Sequence, residues 1–445
     1  MKTPICDFVK QYAQQNALRL HMPGHKGYSL LGMESLDITE IDGADVLYHP
    51  QGIIRESQDN AAKLFGAAKT VYSAGGATLC IQAMVHLLGM YAVRNGKAPL
   101  IAAGRNAHKS FLSAAALCGA DISWIWSKKQ VDAVSCLIAP EVLEQHLCQM
   151  EQMPVAVYIT SPDYLGNLAD IRGLSAVCRK YGVLLAVDNA HGAYLRFLPE
   201  DKHPLTLGAD ICCDSAHKTL PVLTGGAYLH LSASAPRLFF EQSENAMSLF
   251  ATTSPSYLIL QSLDAANAYL EDNYKARLEA YISQIAQTKK RLENVGYVFM
   301  GQEPLKLTLD TKAYGYTGRS LAQRLLEQGL VCEFSDPDYV VLMLTPENGG
   351  DALERLEGAL LSIEKKPAIT QRMPALERPT VRMTPRQALM TVSEPCAVKD
   401  SLGKVLGSPT VSCPPAIPIV VCGEEINGSV IRVMEYYGIE KVNIL

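Results

Sequence analysis

The sequence predicts an α/β protein built on a mostly parallel β-sheet. Between residues 57 and 231, short apolar runs typical of strands alternate with segments of helical periodicity. Such alternation is typical of βαβ units, whose strands share one sheet. Polar residues follow the ends of several runs, and open parallel sheets bind ligands at that edge. We therefore predict a large domain with a seven-stranded sheet flanked by helices and a ligand site at the strand ends.

The elements of this large domain are predicted in chain order. The strands are predicted over residues 69–73, 98–103, 121–126, 155–160, 183–188, 209–213 and 226–231. The helices are predicted over residues 57–66, from Leu79 onward, over the segment FLSAAALCGA, and over residues 140–150 and 174–181. A glycine-rich turn separates the first strand from the helix that begins near Leu79.

The remaining segments predict further units on both sides of this domain. Residues 1–55 are predicted to be an N-terminal arm, starting with an amphipathic helix, and such a long irregular arm suits a chain that wraps a partner subunit. The large domain is assigned to residues 56–265. Residues 256–294 are helical in pattern throughout, which predicts one long linking helix. Residues 266–445 are predicted to form a smaller α+β domain, with a further boundary near 370–385.

Composition narrows the class of protein. The chain has 445 residues and a formal net charge of −5, which disfavours a nucleic-acid partner. We find no run of about 18 apolar residues and predict no membrane span. The polar N-terminus contains Asp7 and does not resemble a signal peptide. Twelve scattered cysteines without a Cys-x-x-Cys pair predict a reducing cytoplasm and no metal site.

Two strand ends carry the residues that suggest chemistry. Lys218 follows a predicted buried strand in DICCDSAHKTL, and Asp188 ends the strand of GVLLAVDNAHGA. A lysine can form a Schiff base with an aldehyde. An aspartate can pair with a protonated pyridine nitrogen and keep such a cofactor an electron sink. The pair therefore suggests an aldehyde cofactor with a pyridine ring.

The glycine-rich turn after the first strand is a candidate phosphate site. Gly75, Gly76 and the Thr78 hydroxyl lie where a strand gives way to a helix. Free backbone N–H groups converge at a helix N-terminus, where the helix dipole favours an anion. An ordinary structural turn is the alternative interpretation. His108, Asp163 and His191 also follow strand ends.

Eight motifs in collinear order resemble one known family. They are HMPGHKG, DGADVLYHPQGIIRESQDNAAKLFGA, RNAHKS, SPDYLGNLADI, VDNAHGAYLRF, SAHKTLPVLTGGAYLH, TTSPSYLILQSLD and CPPAIPIVVCGEEI. From about residue 20 to residue 426 the sequence resembles the Orn/Lys/Arg decarboxylases, which are fold-type-I pyridoxal-phosphate enzymes. The resemblance is to the short form, without the N-terminal wing domain of the large members.

The resemblance implies roles for individual residues. Lys218 matches the Schiff-base lysine, Asp188 the partner of the pyridinium nitrogen, and His108 the histidine that stacks on the ring. The residues implied around the phosphate are Gly76, Ala77, Thr78, Ser215 and His217. Thr253 and Ser254 resemble a segment that meets the cofactor across a dimer interface. A proton returned to Cα could come from His108, His191 or Lys218.

Substrate contacts are less clearly indicated. His25 and Glu424 are candidates, with a turn residue and a surface charge as their respective alternatives. The sequence departs from the family at Ala77, where a hydroxyl residue is usual, and at Cys413 and Ala416 in CPPAIP. This last segment is expected near the distal end of the substrate.

The implied activity is decarboxylation of arginine, lysine or ornithine, with arginine favoured by analogy, in polyamine biosynthesis. A homodimer or higher homo-oligomer with shared active sites is expected. Two alternatives stay open. One is a transaminase, for which Arg382 and Arg386 are available to clamp a carboxylate. The other is a non-catalytic pyridoxal-phosphate-binding homologue, suggested by Ala77 and Ala416.

Overall fold

A computed structural model of the protein describes residues 1–127, 136–411 and 418–445. Seven strands form its largest sheet: β1 (Lys69–Ser73), β2 (Leu100–Gly104), β3 (Asp121–Ile125), β4 (Ala156–Thr160), β5 (Leu184–Asp188), β6 (Ile211–Asp214) and β7 (Ala227–Leu231). Their order is β1-β7-β6-β5-β4-β2-β3. β7 runs antiparallel to β1 and β6, and the other pairs are parallel. The predicted seven-stranded, mostly parallel sheet is confirmed.

Helices accompany these strands along the chain. They are α1 (Pro4–Gln14), α2 (Ile53–Phe65), α3 (Gly76–Arg94), α4 (Lys109–Cys118), α5 (Pro140–Gln149), α6 (Ile171–Tyr181), α7 (Pro204–Leu207), α8 (Ala216–Thr219) and α9 (Arg237–Phe250). Lys218 lies in α8, a single helical turn that follows β6, and the sequence predicted only that Lys218 comes after a buried strand. The turn is closed by the Leu220 N–H, which donates to the Ala216 carbonyl over 2.8 Å.

The predicted long linking helix is wrong, because two helices occupy that segment. α10 (Tyr257–Glu271) ends before Asn273, and α11 (Tyr274–Asn294) begins immediately after it. Asn273 has φ +57°, in the left-handed region that an α-helix cannot continue through. Asparagine tolerates this conformation better than most residues, so the chain turns at that residue.

Two smaller sheets form from the C-terminal part of the chain. Their strands are β8 (Phe299–Met300), β9 (Lys306–Asp310), β10 (Phe334–Ser335), β11 (Tyr339–Met343), β12 (Glu394–Ala397) and β13 (Lys441–Ile444). The helices are α12 (Gly318–Glu327), α13 (Ala352–Leu361), α14 (Pro385–Met390) and α15 (Gly428–Tyr437). One sheet has the order β10-β11-β9-β8, and β12 pairs with β13 in the other. The predicted boundary near 370–385 lies between α13 and α14, and the domain limits stay predictions.

The helix α3 shows why composition alone can mislead. By length and mean hydropathy it could cross a membrane, although Thr78, Gln82 and His86 interrupt its apolar sequence. In the fold it is a core helix, since Ala83, Met84, Leu87 and Leu88 are fully buried. Its packing against α4 and α9 accounts for its apolar composition, and its N-terminus lies at the carboxyl end of β1.

Candidate active site

A cavity of about 310 Å³ lies at the carboxyl ends of β4, β5 and β6. Nine of the predicted site residues line it: Gly76, Ala77, Thr78, His108, Asp188, His191, Ser215, His217 and Lys218. They come from several separate strand ends, which a mostly parallel sheet places along one edge. The sequence prediction of a ligand site at this edge therefore matches the geometry.

Lys218 projects its amine into this cavity from the one-turn helix α8. Its Nζ lies 3.0 Å from His191 Nε2. Loss of hydration inside the cavity lowers the pKa of Lys218, and the charge of Asp188 opposes this effect. Lys306 lowers the pKa of Lys218 as well. A lysine with a lowered pKa has more neutral amine at physiological pH and is a better nucleophile.

Asp188 is the last residue of β5 and is almost fully buried at the base of the cavity. Its carboxylate accepts hydrogen bonds from the Tyr158 hydroxyl and the Ala190 backbone N–H, both over 3.2 Å. These two donors fix the carboxylate against the cavity wall. The arrangement suits an acceptor for a cationic ring N–H.

The start of α3 forms the glycine-rich wall of the cavity. Gly76 has φ +69°, a conformation that favours glycine. The Thr78 hydroxyl lies 2.9 Å from Ser110 Oγ, which is also 2.9 Å from His108 Nδ1. This chain of hydrogen bonds joins the N-termini of α3 and α4 at the cavity. Two helix N-termini side by side form a suitable site for an anion such as a phosphate.

His108 both caps a helix and lines the cavity. It is the N-cap of α4, where its Nδ1 accepts the Ser110 backbone N–H over 3.2 Å, and it also lines the cavity. Loss of hydration lowers the pKa of His108 despite the opposing charge of Asp188. The ring is therefore neutral near physiological pH, with its proton on Nε2.

Ser215 and His217 flank the reactive lysine. Ser215 Oγ lies 3.4 Å from His217 Nδ1, which is 3.1 Å from the Gly226 carbonyl oxygen. A carbonyl only accepts, so the hydrogen bond to Gly226 requires a proton on Nδ1. This contact orients the imidazole of His217 beside Lys218.

Four other predicted residues lie away from this cavity in the described chain. His25 contacts Asp37 over 3.2 Å in the N-terminal arm, while Thr253 and Ser254 are exposed. Glu424 is buried and forms a 2.6 Å ion pair with Arg105. The surface-charge alternative for Glu424 is therefore wrong, and its carboxylate already has a cationic partner. Cys413 and Ala416 lie outside the described residues.

The arginines considered for a transaminase are engaged elsewhere. Arg382 forms an ion pair with Glu425 over 2.7 Å. Arg386 donates to the backbone carbonyls of Ala116 and Leu117. Neither arginine lines the cavity that contains Lys218. Their positions give no support to a carboxylate clamp.

A second polar cluster lies just beneath the Lys218 turn. His203, Asp214 and His230 are fully buried, and their potential ligand atoms lie within 4.8 Å of one another. Asp214 accepts from Asn189 Nδ2 over 2.7 Å and lies 3.0 Å from His203 Nε2. These contacts partner both carboxylate oxygens, so we interpret the cluster as a hydrogen-bonded network at the end of β6. The sequence-based prediction of no metal site stays a prediction.

Sequence reasoning missed several residues at this site. Asn106 and Tyr164 line the cavity, Tyr158 holds Asp188, and Lys306 approaches His191. Asn106 and Tyr164 belong to the quoted motifs RNAHKS and SPDYLGNLADI, so proximity to a motif was an available signal. Lys306 had no such signal.

This fold and site are those of the fold-type-I pyridoxal-phosphate enzymes. The features of that class are the mostly parallel sheet, the lysine one turn after β6 and the aspartate at the end of β5. A solved serine palmitoyltransferase of Sphingomonas wittichii shares this fold with a TM-score of 0.57 at 14% identity, over 81% of this chain and 83% of that one. The lysine decarboxylase LdcF of Francisella novicida superposes with a TM-score of 0.81 at 15% identity, over 100% of this chain and 81% of that one.

The sequence model of "Orn/Lys/Arg decarboxylase, major domain" matches residues 3–302. The protein YaaO of Bacillus subtilis is 30% identical over 96% of this chain and 92% of its own length. The arginine decarboxylase of the same organism is 29% identical over 96% of this chain and 91% of its own length. The protein therefore belongs to the Orn/Lys/Arg decarboxylase family and is a pyridoxal-phosphate-dependent decarboxylase.

Proposed function

We propose that the protein decarboxylates arginine to CO2 and agmatine, a polyamine precursor, with pyridoxal phosphate attached at Lys218. The observation that carries the proposal is the placement of Lys218, His191 and Asp188 around one cavity beside a helix N-terminus. The similarity to a Bacillus subtilis arginine decarboxylase over most of both chains supports arginine as the substrate.

The residues of the cavity fit this cofactor. Its volume of about 310 Å³ is at the lower end of the range for small-molecule sites. The α3 turn and Thr78 suit a phosphate, His108 provides a flat ring, and Asp188 provides an anionic acceptor. When bound, pyridoxal phosphate supplies an aldehyde for Lys218 and an electron sink for the electron pair left when CO2 departs.

The side chains around this group divide the remaining tasks. Asp188 would hold a ring N–H of the cofactor in place through a charge-assisted hydrogen bond. Burial holds the pKa of His191 well below its ordinary value, and the charges of Lys306 and Lys218 lower it further. His191 is therefore a neutral imidazole with one N–H, and it can donate that proton to the substrate Cα after CO2 leaves only if it takes up another proton at the same time. Lys218, 3.0 Å away, would supply that second proton, which its displaced amine would have taken from the substrate ammonium.

Glu333 is our candidate for binding the distal cation of the substrate. It directly precedes β10 and is exposed, and its Oε1 accepts a 3.1 Å hydrogen bond from the hydroxyl of Tyr164, which lines the cavity. Its charge reaches the site, because it raises the pKa of Lys218 against the larger lowering by lost hydration. A carboxylate near the cavity wall can form two parallel hydrogen bonds with a guanidinium group.

We expect Glu333→Gln to raise KM for arginine about tenfold or more, because a hydrogen bond between charged groups contributes about 1.5–3 kcal/mol. Glu347→Gln is the matched control, since Glu347 also accepts from a tyrosine hydroxyl, that of Tyr269, but lies away from the cavity. Steady-state kinetics with both variants check this. An unchanged KM in Glu333→Gln would rule out this role.

The proposed activity is tested by product analysis. Purified protein supplied with pyridoxal phosphate is incubated separately with arginine, lysine and ornithine, and the products are identified by mass spectrometry. We expect agmatine and CO2 from arginine as the fastest reaction. Cadaverine as the main product would identify lysine as the substrate instead of arginine, and putrescine would identify ornithine. A keto acid would indicate transamination, and the absence of any product would indicate a non-catalytic homologue.

We also propose a homodimer with shared active sites. Apolar side chains of the N-terminal arm are highly exposed in the single chain: Leu18 (83%), Leu20 (84%), Leu30 (77%) and Leu31 (81%). Exposed apolar residues gathered on one segment indicate a protein–protein contact. The exposed Thr253 and Ser254 are then available to a partner's cofactor site. The free thiols of the described cysteines support a reducing, cytoplasmic location.

The double variant Leu30→Asp/Leu31→Asp should shift the protein from dimer to monomer at micromolar concentration and lower kcat at least about tenfold, because each charge would be desolvated in the interface. Light scattering after size-exclusion chromatography measures the mass. Val392→Asp is the control, since Val392 is 89% exposed outside the arm. A dimer that persists in the double variant would argue against this interface.

A further inference from the structure

Lys306 and Glu303 form a buried ion pair next to the active site. Lys306 opens β9 of the smaller sheet, and its Nζ lies 2.9 Å from Glu303 Oε2, with both side chains 1% exposed. The free-energy cost of removing two charges from water is about as large as the gain from their attraction. A buried ion pair is therefore weak evidence for a contribution to the stability of the fold. Its position suggests another use.

The ammonium group of Lys306 also contacts His191, a residue of the active-site cavity. Its Nζ lies 3.5 Å from His191 Nδ1 and donates to the Asp163 carbonyl oxygen over 3.3 Å. An ammonium group only donates hydrogen bonds, so His191 Nδ1 must accept and the imidazole proton must reside on Nε2. His191 Nε2 in turn lies 3.0 Å from Lys218 Nζ. An Nε2–H group opposite Lys218 is compatible with a neutral amine and opposes an ammonium.

We propose that Lys306, held by Glu303, is a positioning residue that fixes His191 as its Nε2–H tautomer and thereby keeps the Lys218 amine unprotonated. The inference rests on the proposed function, in which Lys218 adds to an aldehyde. In that addition the amine lone pair forms a C–N bond, and loss of one water gives C=N. Only the neutral amine has the lone pair, so the cation at Lys306 would promote attachment although Lys306 does not line the cavity.

The other charges near Lys218 have separate effects. The titratable groups that act on Lys218 include Asp188, Lys306, Glu333 and Cys213, together with His191 and His108, and those that act on His191 include Lys306, Lys218, His108 and His217. Lys306 itself faces Glu303, and Glu303 also faces Tyr194 and Asp163. Lys306 thus acts on both members of the Lys218–His191 pair, and its removal should change both.

Reductive alkylation of the full-length chain, freed of cofactor, tests the proposal. Propanal with cyanoborohydride modifies neutral amines, and peptide mass spectrometry follows Lys218 across a pH series. We expect Lys306→Met to shift the pH midpoint for alkylation of Lys218 upward and to lower the alkylation rate at pH 7 about threefold or more. The alkylation rate reached at high pH should be unchanged. Lys306→Arg retains the cation and should restore the wild-type midpoint.

A second variant guards against misfolding. Glu303→Gln/Lys306→Met removes both charges, so no unpaired carboxylate stays buried, and it should show the same upward shift. Lys312→Met is the matched control, because Lys312 is also buried and paired, with Asp338 over 2.9 Å, but does not contact His191.

The outcomes separate the inference from the proposed function. The role of Lys306 would be overturned if the alkylation midpoint of Lys218 stays unchanged in both Lys306→Met and Glu303→Gln/Lys306→Met. An equal shift in Lys312→Met would overturn it as well. Nitrogen NMR of the histidines gives an independent result, with loss of the His191 Nε2–H signal expected in Lys306→Met. If wild-type Lys218 is not alkylated while the chain still produces agmatine, the assignment of Lys218 fails and decarboxylation of arginine stands. If the midpoints shift as expected while no amine product forms from any substrate, the proposed function fails and the role of Lys306 stands.

Discussion

Lys218→Ala should lower kcat at least about a thousandfold, the scale seen when a covalent catalytic group is removed. The amine that lies 3.0 Å from His191 would be lost, and with it both the attachment point of the cofactor and a carrier of the returning proton. Purified Lys218→Ala should also lack the visible absorbance that covalent attachment of pyridoxal phosphate gives. Product assays and absorbance spectra measure the two effects independently.

Two further variants make this result specific. Lys218→Arg keeps a long side chain that ends in nitrogen but cannot form the C=N bond, so it should be as inactive as Lys218→Ala. Lys109→Ala is the control for charge near the site, because Lys109 lowers the pKa of His108 without lining the cavity. It should retain most activity. Turnover by Lys218→Ala near the wild-type rate would mean that another residue is the covalent attachment point.

The residues that sequence reasoning located share a simple property. Asp188 lies at the carboxyl end of a strand and Lys218 and His108 follow shortly after one, and a parallel sheet brings those ends together whatever the detailed packing. β1 likewise matches its prediction residue for residue, because a short apolar run between two turns has few other options. Local pattern was therefore sufficient for the large sheet and for the base of the cavity.

The residues that it missed depend on contacts between distant segments. In LKLTLD, Lys306 alternates with leucines, which predicts a solvent-facing side chain. The structure instead buries Lys306 against His191, 115 positions away in the chain. The pairing of Arg105 with Glu424 spans 319 positions. Local periodicity cannot predict these contacts, because the residues that bury Lys306 and Arg105 come from distant segments brought together by the tertiary fold.

Asp188→Asn should lower kcat about 100- to 1,000-fold, the usual loss when one preorganised electrostatic contact is removed. Asparagine has nearly the same shape. Its Oδ1 can still accept from the Ala190 N–H, and its Nδ2 can donate to the Tyr158 hydroxyl, which can also act as an acceptor, so the fold should be preserved. What is lost is the negative charge that holds a proton on the cofactor ring. Asp210→Asn is the control, since Asp210 immediately precedes β6 at its opposite end and accepts the Leu185 N–H over 2.8 Å.

Asp188→Asn should also shift the pH midpoint for alkylation of Lys218, in the direction opposite to the shift caused by Lys306→Met. Asp188 raises the pKa of Lys218, whereas Lys306 lowers it. Asp188→Asn should therefore lower the midpoint for alkylation of Lys218 and Lys306→Met should raise it, although both reduce turnover. Equal shifts, or shifts of the same sign, would show that activity is lost through general disruption of the cavity. Opposite shifts require that the two charges act directly on one amine, because a shared structural defect cannot change sign.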